Sequence, residues 1–191
     1  MKDTPIWAYG ILGYNVSLHS PQSNSKESQF FVCGMMGRFL YMKIESYQQK
    51  HFESCMEIIQ SNTPKYILPF EHLDYKNYLL RKSKTYFVFL KDNVLVACGG
   101  YGLNKTKTKA GLSWGLVHRR YHNQRYGSHS IKYRLHHIKS DYPDIEIHLD
   151  TSQHTYQFFF KFGFIIKQIT KNGYGKGLDK YDMILKEDSN L

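Results

Sequence analysis

The spacing of apolar positions alternates between two periods along the chain, and this alternation predicts an α/β domain. Apolar positions three and four residues apart predict four helices, at 47–59, from 67, after Gly127 and at 153–162. Runs rich in β-branched and aromatic residues predict strands at 39–44, 85–90, 94–98, 110–117, 145–149, 164–169 and 181–185. This order predicts an α/β (α+β) fold, with a mixed, mostly antiparallel sheet of about six to seven strands flanked by about four helices.

One stretch, residues 110–135, joins a strand to a helix through a short basic loop. The apolar run that ends at Val117 is followed by polar and basic residues up to Gly127, after which apolar positions recur at Ile131, Leu135 and Ile138. The first N–H groups of a helix lack partners inside the helix, and the helix dipole adds partial positive charge there. The loop therefore predicts a site for a phosphate or diphosphate group. Full positive charge comes from Arg119, Arg120 and Arg125.

Other glycine-rich and polar segments have simpler interpretations. Asp92 and Asn93, between two predicted strands, predict a hairpin turn. No helical pattern follows GGYG at 99–102, so a bulge or bend in a strand is expected there and not a phosphate loop. Strands flank both NKTKTK at 104–109 and NGYGKGLDK at 172–180, which predicts a hairpin tip and a hairpin loop.

Length and composition are typical of one globular domain with a basic surface. The chain has 191 residues, 41% of them hydrophobic and 16% aromatic, which suits one domain with an ordinary core. The formal net charge of +10 favours anionic ligands, although a solvated basic surface would give the same charge. No zinc-finger, helix-turn-helix or RNP-like pattern accompanies this charge, so binding of nucleic acid is only a third choice.

The cysteines and the longest apolar runs bear on the expected compartment. Cys33, Cys55 and Cys98 are far apart and form no C-x-x-C pair, so neither a disulfide framework nor a metal site is expected. No apolar run approaches the roughly 20 residues of a membrane-spanning helix. The first residues show no convincing signal-peptide cleavage site. A reduced, cytoplasmic location is therefore the expectation.

Residues 1–37 differ in character from the rest of the chain. SPQSNS at 20–25 is typical of a turn or an irregular segment. We interpret residues 1–37 as a partly irregular N-terminal extension whose role as a flap, a dimer arm or a tail is open. Residues 38–191 are then expected to form the α/β domain.

Two blocks of the sequence resemble the GNAT superfamily of acetyltransferases. After its fourth strand that family has the pattern V-x-P-x-Y-Q/R-G-x-G-x-G/A, and here VHRRYHNQRYG occupies residues 117–127. Asn123 and Arg125 stand at the first two glycine positions, and His122 stands at the Gln/Arg position. LDTS at 149–152 and FFFKFGF at 158–164 are similar to the family's fifth strand, fourth helix and Y-x-K-x-G-F block. The resemblance covers roughly residues 38–186.

The resemblance implies acetyl-CoA as a cosubstrate and a site where the fourth and fifth strands splay apart. Backbone N–H groups of the loop would hold the diphosphate. The loop residues concerned are Asn123, Gln124, Arg125, Tyr126, Gly127 and Ser128. Leu116 and Val117 would pair their backbone with the pantetheine arm, as an added strand does. Ser152 would either bond the arm or cap the following helix. Phe159, at the family's tyrosine position, is also counted among the cofactor-binding residues.

The implied reaction, acetyl transfer to an amine, needs a base for the ammonium proton and donors for the tetrahedral oxyanion. Relatives often place a glutamate on the fourth strand, where this chain has Ser113 and Trp114. The base candidates are Glu71, His118 and His122. Phe159 has no proton to give to the leaving thiolate. Tyr156 or Tyr174 would replace the family's tyrosine, or the thiolate would leave unaided, since a thiol pKa of about 8.5 permits this.

These features lead to three functional hypotheses. The first is an N-acetyltransferase that uses direct attack in a ternary complex, with the helix from 67 as one wall of the acceptor site, as the resemblance implies. The alternative is an acyl-CoA-binding module with weak or absent turnover, and the third is a basic nucleic-acid-binding protein. The acceptor stays open among polyamines, antibiotics, amino acids, peptide N-termini and protein lysines. Neither nucleic acid nor a membrane is the expected partner, and the oligomeric state, a homodimer included, is open.

Overall fold

The computed structural model describes residues 29–33, 40–81 and 84–186, which form an α/β fold. The strands are β1 (Gln29–Cys33), β2 (Leu40–Ser46), β3 (Tyr86–Lys91), β4 (Val94–Leu103), β5 (Lys109–Val117), β6 (Glu146–Ser152), β7 (Phe164–Gly175) and β8 (Leu178–Leu185). The helices are α1 (Phe52–Asn62), α2 (Glu71–Leu80), α3 (Tyr126–Asp141) and α4 (Tyr156–Phe160). The strand order is β1-β2-β3-β4-β5-β6-β8-β7, and β5 runs parallel to β6 in this mostly antiparallel sheet. The predicted fold class is confirmed, with β2 to β8 as the seven predicted strands.

β1 is additional to the predicted strands and lies in the segment interpreted as an N-terminal extension. It pairs antiparallel with β2, from Gln29 opposite Ile44 to Cys33 opposite Leu40. Residues 1–28 and 34–39 lie outside the described residues, and with them the rest of the extension. The boundary between residues 1–37 and 38–191 therefore stays a prediction.

By their internal contacts the described residues form two compact units. The first comprises the described residues up to Gly100 together with 114–131, and the second comprises 101–113 and 132–186. The boundary passes along the chain through β4, β5 and α3, each of which contributes residues to both units.

In the first unit, β1 to β4 pair antiparallel in chain order. Asp92 and Asn93 turn between β3 and β4 with φ angles of 49° and 62°, which confirms the predicted hairpin turn. The GGYG segment at 99–102 lies within β4, as the strand prediction requires. The register shift of this hairpin lies earlier in β4, where Val96 is an extra residue between Leu95, opposite Leu90, and Ala97, opposite Phe89.

The two helices of the first unit begin later than predicted. α1 begins at Phe52, because the residues before it form a separate 3₁₀ turn. α2 begins at Glu71 and not at 67. The Glu71 carboxylate accepts a hydrogen bond from the Leu68 N–H at 2.7 Å, and the Glu71 N–H donates to the Leu68 carbonyl at 3.0 Å. These two bonds close a turn that contains Pro69 and lies ahead of the helix.

In the second unit, β6 pairs antiparallel with β8 and β8 with β7, while β6 also pairs in parallel with the first residues of β5. α4 covers only residues 156–160 of the predicted 153–162. Gln153 explains the difference, because its side chain accepts from the Asp179 N–H and donates to the Gly177 carbonyl, each at 2.8 Å. The predicted helix start at 153 is therefore wrong, since that residue holds the hairpin between β7 and β8.

The two predicted hairpin loops have different outcomes. NKTKTK forms the expected exposed tip between β4 and β5, closed by a 2.9 Å hydrogen bond from the Asn104 N–H to the Lys109 carbonyl. NGYGKGLDK is mostly strand, and only Lys176 and Gly177 turn between β7 and β8. The Asn172 side chain accepts from the Gly177 N–H at 2.6 Å, which makes the tighter turn possible.

The helix that follows the basic loop, α3, buries its predicted apolar face. The residues of that face that are inaccessible to solvent are Ile131, Leu135 and Ile138. Within the described ranges, no helix combines the length and the apolar character that crossing a bilayer requires.

Candidate functional site

The bend between β5 and α3 (residues 118–125) is held by hydrogen bonds that converge on the end of the strand. The Val117 carbonyl accepts one bond from the Asn62 side-chain amide at 2.9 Å and one from His122 Nε2 at 3.0 Å. The neighbouring Ser61 hydroxyl accepts from the Arg119 N–H at 3.1 Å. The C-terminal end of α1, to which Ser61 and Asn62 belong, therefore fixes where β5 ends and the bend begins.

Two residues of the bend have left-handed backbone conformations. Asn123 and Arg125 have φ angles of 61° and 67°. These are the two positions at which the family pattern has glycine. Glycine adopts this conformation at no steric cost and Asn tolerates it, whereas a long side chain such as that of Arg rarely adopts it. The chain thus follows a glycine-type path without glycine, and the steric cost lies mainly at Arg125.

Replacing Arg125 separates the role of its charge from that of its backbone. Arg125→Gly and Arg125→Ala both remove the guanidinium, but only glycine relieves the left-handed strain. We expect the glycine variant to be more stable than the alanine variant by about 1 kcal/mol in denaturant unfolding. Equal stability of the two variants would contradict the assigned φ angle. Any loss of affinity for inorganic diphosphate that the two variants share, measured by calorimetry, reports the contribution of the charge.

The bend leaves a run of backbone N–H groups without partners where it joins α3. No described residue accepts a hydrogen bond from the N–H groups of residues 123–128, while the Arg125 carbonyl accepts the His129 N–H at 3.0 Å. Such groups at the start of a 16-residue helix bind phosphate oxygens well. The sequence has no acidic residue between Asp92 and Asp141. This segment, which includes the bend, therefore supplies no carboxylate that would compete with an anion for these N–H groups.

Both histidines of the bend are engaged in its structure. His118 Nδ1 accepts the Arg120 N–H at 3.2 Å and so caps the short 3₁₀ turn that begins the bend. His122 Nε2 donates to the Val117 carbonyl. A proton taken up at His118 Nδ1 would break this cap, which argues against His118 as the base.

Glu71, the first residue of α2, is a buried carboxylic acid. The residue is 1% exposed, and while Oε2 accepts the Leu68 N–H, Oε1 is buried and meets no donor among the described residues. Burial raises the pKa of Glu71 to about 8, the Leu68 hydrogen bond lowers it by less, and the charge of Asp74 adds to the rise. A carboxyl group with this pKa and an unpaired oxygen is suited to accept a proton from a substrate.

The face of α2 that carries Glu71 is the one that packs on β5. Tyr75 and Tyr78 follow at i+4 and i+7 and are buried as well. The ring centroids of Tyr75 and Tyr78 lie 4.9 Å and 6.4 Å from the ring centroid of Trp114 on β5. Glu71 is therefore one helical turn from a side chain in direct contact with the strand that leads into the bend.

The remaining predicted site residues lie in the second unit. The Tyr156 ring stacks on Tyr181 with centroids 4.5 Å apart, and Phe159 packs on Phe158 and Phe164. The Ser152 hydroxyl accepts the His154 N–H at 3.4 Å, which places it in the turn before α4. The residue before the first turn of α4 is Thr155, so the prediction that Ser152 caps this helix is wrong. Tyr174, the other acid candidate, is buried in β7.

An ion-pair cluster at the end of β6 adds to the predicted residues of this unit. Asp150 and Asp182 lie directly opposite each other on β6 and β8. The Lys180 ammonium lies 3.6 Å from Asp150 Oδ2 and 2.6 Å from Asp182 Oδ1. Burial raises the pKa of Asp150, although Lys180 opposes this rise. The lysine thus offsets the repulsion between two carboxylates in one cross-strand pair.

The parallel ladder of β5 and β6 is short. It consists of Lys109, Ala110 and Gly111 opposite Glu146, Ile147 and His148, and it ends there although both strands continue. The splay of the two strands beyond this ladder stays a prediction. Sequence reasoning gave no role to Asn62, because 55 residues separate it from the Val117 carbonyl that it binds. No local signal could have found that contact.

Residues 52–164 match the sequence profile of the family described as the acetyltransferase (GNAT) family. A search of curated proteins finds no match.

In the part of the chain that the structure describes, no three His, Cys, Asp or Glu side chains are grouped as metal ligands.

Solved structures of the same fold include three acetyltransferases of low sequence identity. A putative GNAT acetyltransferase from Desulfovibrio desulfuricans is 16% identical with a TM-score of 0.65, covering 76% of this chain and 99% of that one. The ribosomal-protein-S18-alanine N-acetyltransferase from Escherichia coli is 16% identical with a TM-score of 0.64, covering 78% and 98%. The paia N-acetyltransferase from Thermoplasma acidophilum, solved in complex with coenzyme A, is 16% identical with a TM-score of 0.59, covering 76% and 98%.

Proposed function

Because the chain belongs to the GNAT acetyltransferase family, we propose that it transfers an acetyl group from acetyl-CoA to an amine acceptor by direct attack in a ternary complex. The observation that carries this proposal is the bend between β5 and α3. Its left-handed residues, Asn123 and Arg125, leave the N–H groups of residues 123–128 available to a diphosphate.

The pantetheine arm is proposed to lie beside the last residues of β5, including Leu116 and Val117. The Val117 carbonyl already accepts two hydrogen bonds, so the arm would pair with other backbone groups of this strand segment. Ser152 and Phe159 are assigned to cofactor binding on the resemblance alone.

Glu71 is our candidate for the general base. In this proposal the ammonium proton of the acceptor passes to the carboxylate, and the amine nitrogen then attacks the thioester carbonyl carbon. A carbon–nitrogen bond forms, the carbon–sulfur bond breaks, and the electron pair leaves with sulfur as the coenzyme A thiolate. Phe159 cannot protonate that thiolate, but a thiol pKa of about 8.5 allows it to leave unaided. Tyr156, whose hydroxyl accepts a 3.4 Å hydrogen bond from Gln157, is the alternative acid.

A thermal-shift and thiol-release experiment tests the function. We expect millimolar acetyl-CoA and coenzyme A each to raise the melting temperature, because a ligand that binds only the folded state stabilises it. A screen of polyamines, aminoglycosides, amino acids, peptides and lysine-rich proteins should then find an acceptor that releases free thiol. If neither compound shifts the melting temperature, the chain does not bind this cosubstrate and the proposal fails.

A second candidate, an acyl-CoA-binding module without turnover, is favoured by Phe159 and by the absence of glutamate from β5. It shares the expected thermal shift but predicts no thiol release with any amine class. The same experiment therefore distinguishes the two candidates.

A further inference from the structure

Beneath Trp114 on β5 lies a chain of buried hydroxyl and thiol groups, which we call the Tyr86 relay. The Tyr86 hydroxyl donates to the Trp114 carbonyl at 3.0 Å, and the Tyr75 hydroxyl lies 2.8 Å from the Tyr86 hydroxyl. The Cys98 Sγ lies 3.2 Å from the Tyr75 hydroxyl. The side chains of Tyr75, Tyr86 and Cys98 are wholly buried. The relay therefore ties α2, β3 and β4 to one carbonyl of β5.

That carbonyl belongs to a residue with an unusual backbone. Trp114 lies inside a strand, yet its φ angle is 41°, in the left-handed region. A bulky residue held there costs on the order of 1–3 kcal/mol and persists only where its surroundings impose it. The Tyr86 hydroxyl holds its carbonyl, and the rings of Tyr75 and Tyr78 contact its indole. The kink is thus restrained on both its backbone and its side chain.

The position of the kink gives it a consequence for the site. Trp114 divides β5 into residues 109–113 and the last three residues, 115–117, which continue into the bend. The kink sets the direction of this last segment, because a single residue with a left-handed φ interrupts the extended backbone and bends the strand at that point. Its other end is set where Asn62 and His122 bind the Val117 carbonyl.

We infer that Tyr86 and Tyr75 are positioning residues, whose linked hydroxyls hold the Trp114 kink and so align residues 115–117 with the acyl arm. This inference rests on the proposed function, in which that segment carries the arm. Neither tyrosine touches the reacting atoms. A buried hydroxyl destabilises the folded state unless it is hydrogen-bonded. The hydroxyls of Tyr86 and Tyr75 each form hydrogen bonds within the relay.

Tyr86→Phe is the direct test, and Tyr47→Phe is its matched control. Phenylalanine fills the same volume in both cases. The Tyr47 ring packs edge-on against Tyr86 with centroids 5.8 Å apart, and its hydroxyl is buried but bonds to no described residue. The control therefore removes a neighbouring buried hydroxyl that is not part of the relay. Tyr75→Phe, which interrupts the relay one group further away, serves as a second variant.

Amide resonances of residues 114–117, recorded with and without acetyl-CoA, are the primary readout because they need no turnover. We expect Tyr86→Phe to change these resonances and their response to acetyl-CoA, and Tyr47→Phe to leave both unchanged. With an acceptor in hand, kcat should fall about tenfold in Tyr86→Phe with KM for acetyl-CoA within twofold, as expected for misalignment without lost binding. Tyr75→Phe should show a smaller change in the same direction.

The result that overturns the inference is a Tyr86→Phe protein whose residues 114–117 respond to acetyl-CoA as those of Tyr47→Phe do. Equal kcat values in these two variants would overturn it as well. A wild-type protein that binds acetyl-CoA without releasing thiol contradicts the proposed transferase function, while the amide response still decides the inference. If the amide resonances of the wild type do not respond to acetyl-CoA, the protein does not bind it, and the proposed function and the inference both fail.

Discussion

Glu71→Gln is expected to lower kcat for acetyl transfer by about a hundredfold or more, because general-base catalysis contributes at least this factor in most enzymes. Glutamine has the size of glutamate and can still accept the Leu68 N–H that Glu71 Oε2 accepts. It cannot accept the ammonium proton of the acceptor. Binding of acetyl-CoA, followed by its thermal shift, should stay unchanged because Glu71 lies on α2 and not in the bend.

The pH profile identifies Glu71 as the base more directly than the loss of rate does. Burial raises the pKa of Glu71 to about 8, so kcat/KM should rise with pH up to about this value as the carboxylate forms. The glutamine variant should lose this rising limb. Asp74→Asn, one turn further along α2, is the matched control and should keep the limb, with a slightly lower pKa because a neighbouring negative charge is gone. A full rising limb in Glu71→Gln would assign the base elsewhere.

The raised pKa of Glu71 should also make the free energy of unfolding depend on pH, and this free energy should fall over the range in which kcat/KM rises. Between pH 4.5, the ordinary pKa of the side chain, and about 8, the folded protein holds a proton on Glu71 that the unfolded chain releases. The free energy of unfolding therefore falls as pH rises through this window, by about 1.4 kcal/mol for each unit of pKa difference at most. Denaturant unfolding of the wild type and Glu71→Gln at several pH values should show this decline in the wild type alone.

Gly127→Trp is expected to abolish the stabilisation by acetyl-CoA. Gly127 is the second residue of α3, where any side chain stands beside the unpartnered N–H groups of the first turn. A ligand at a hundred times its Kd stabilises a protein by about 2.7 kcal/mol, which for a chain of this size raises the melting temperature by roughly 5–10 °C. We expect this shift in the wild type and none in Gly127→Trp.

Gly127→Ala is the matched control for that substitution. The family pattern accepts glycine or alanine at this position, and a single methyl group leaves the N–H groups accessible. Alanine should therefore keep most of the shift, while both variants melt close to the wild type without ligand. A tryptophan variant that folds and still shows the full shift would place the diphosphate somewhere other than the bend.

Local signals along the chain were sufficient to predict most elements of the fold. The hairpin at Asp92 and Asn93 follows from two residues that tolerate positive φ between strand-like runs. The buried face of α3 follows from apolar spacing alone. Predictions failed at element ends, as where Gln153 bonds to the β7–β8 hairpin and delays α4. Such ends depend on partners about 25 residues away in sequence, which periodicity does not register.

Some features of the candidate site likewise follow from consecutive residues, whereas others depend on distant parts of the chain. The sequence by itself determined the family resemblance and the strand–bend–helix unit, because the unpaired N–H groups of a helix start are a property of consecutive residues. Only the tertiary structure decided that Glu71 is buried, that Trp114 is kinked above the Tyr86 relay, and that Asn62 binds the Val117 carbonyl. Burial, pKa and strand kinks depend on atoms brought together from distant parts of the chain, so no pattern of neighbouring residues encodes them.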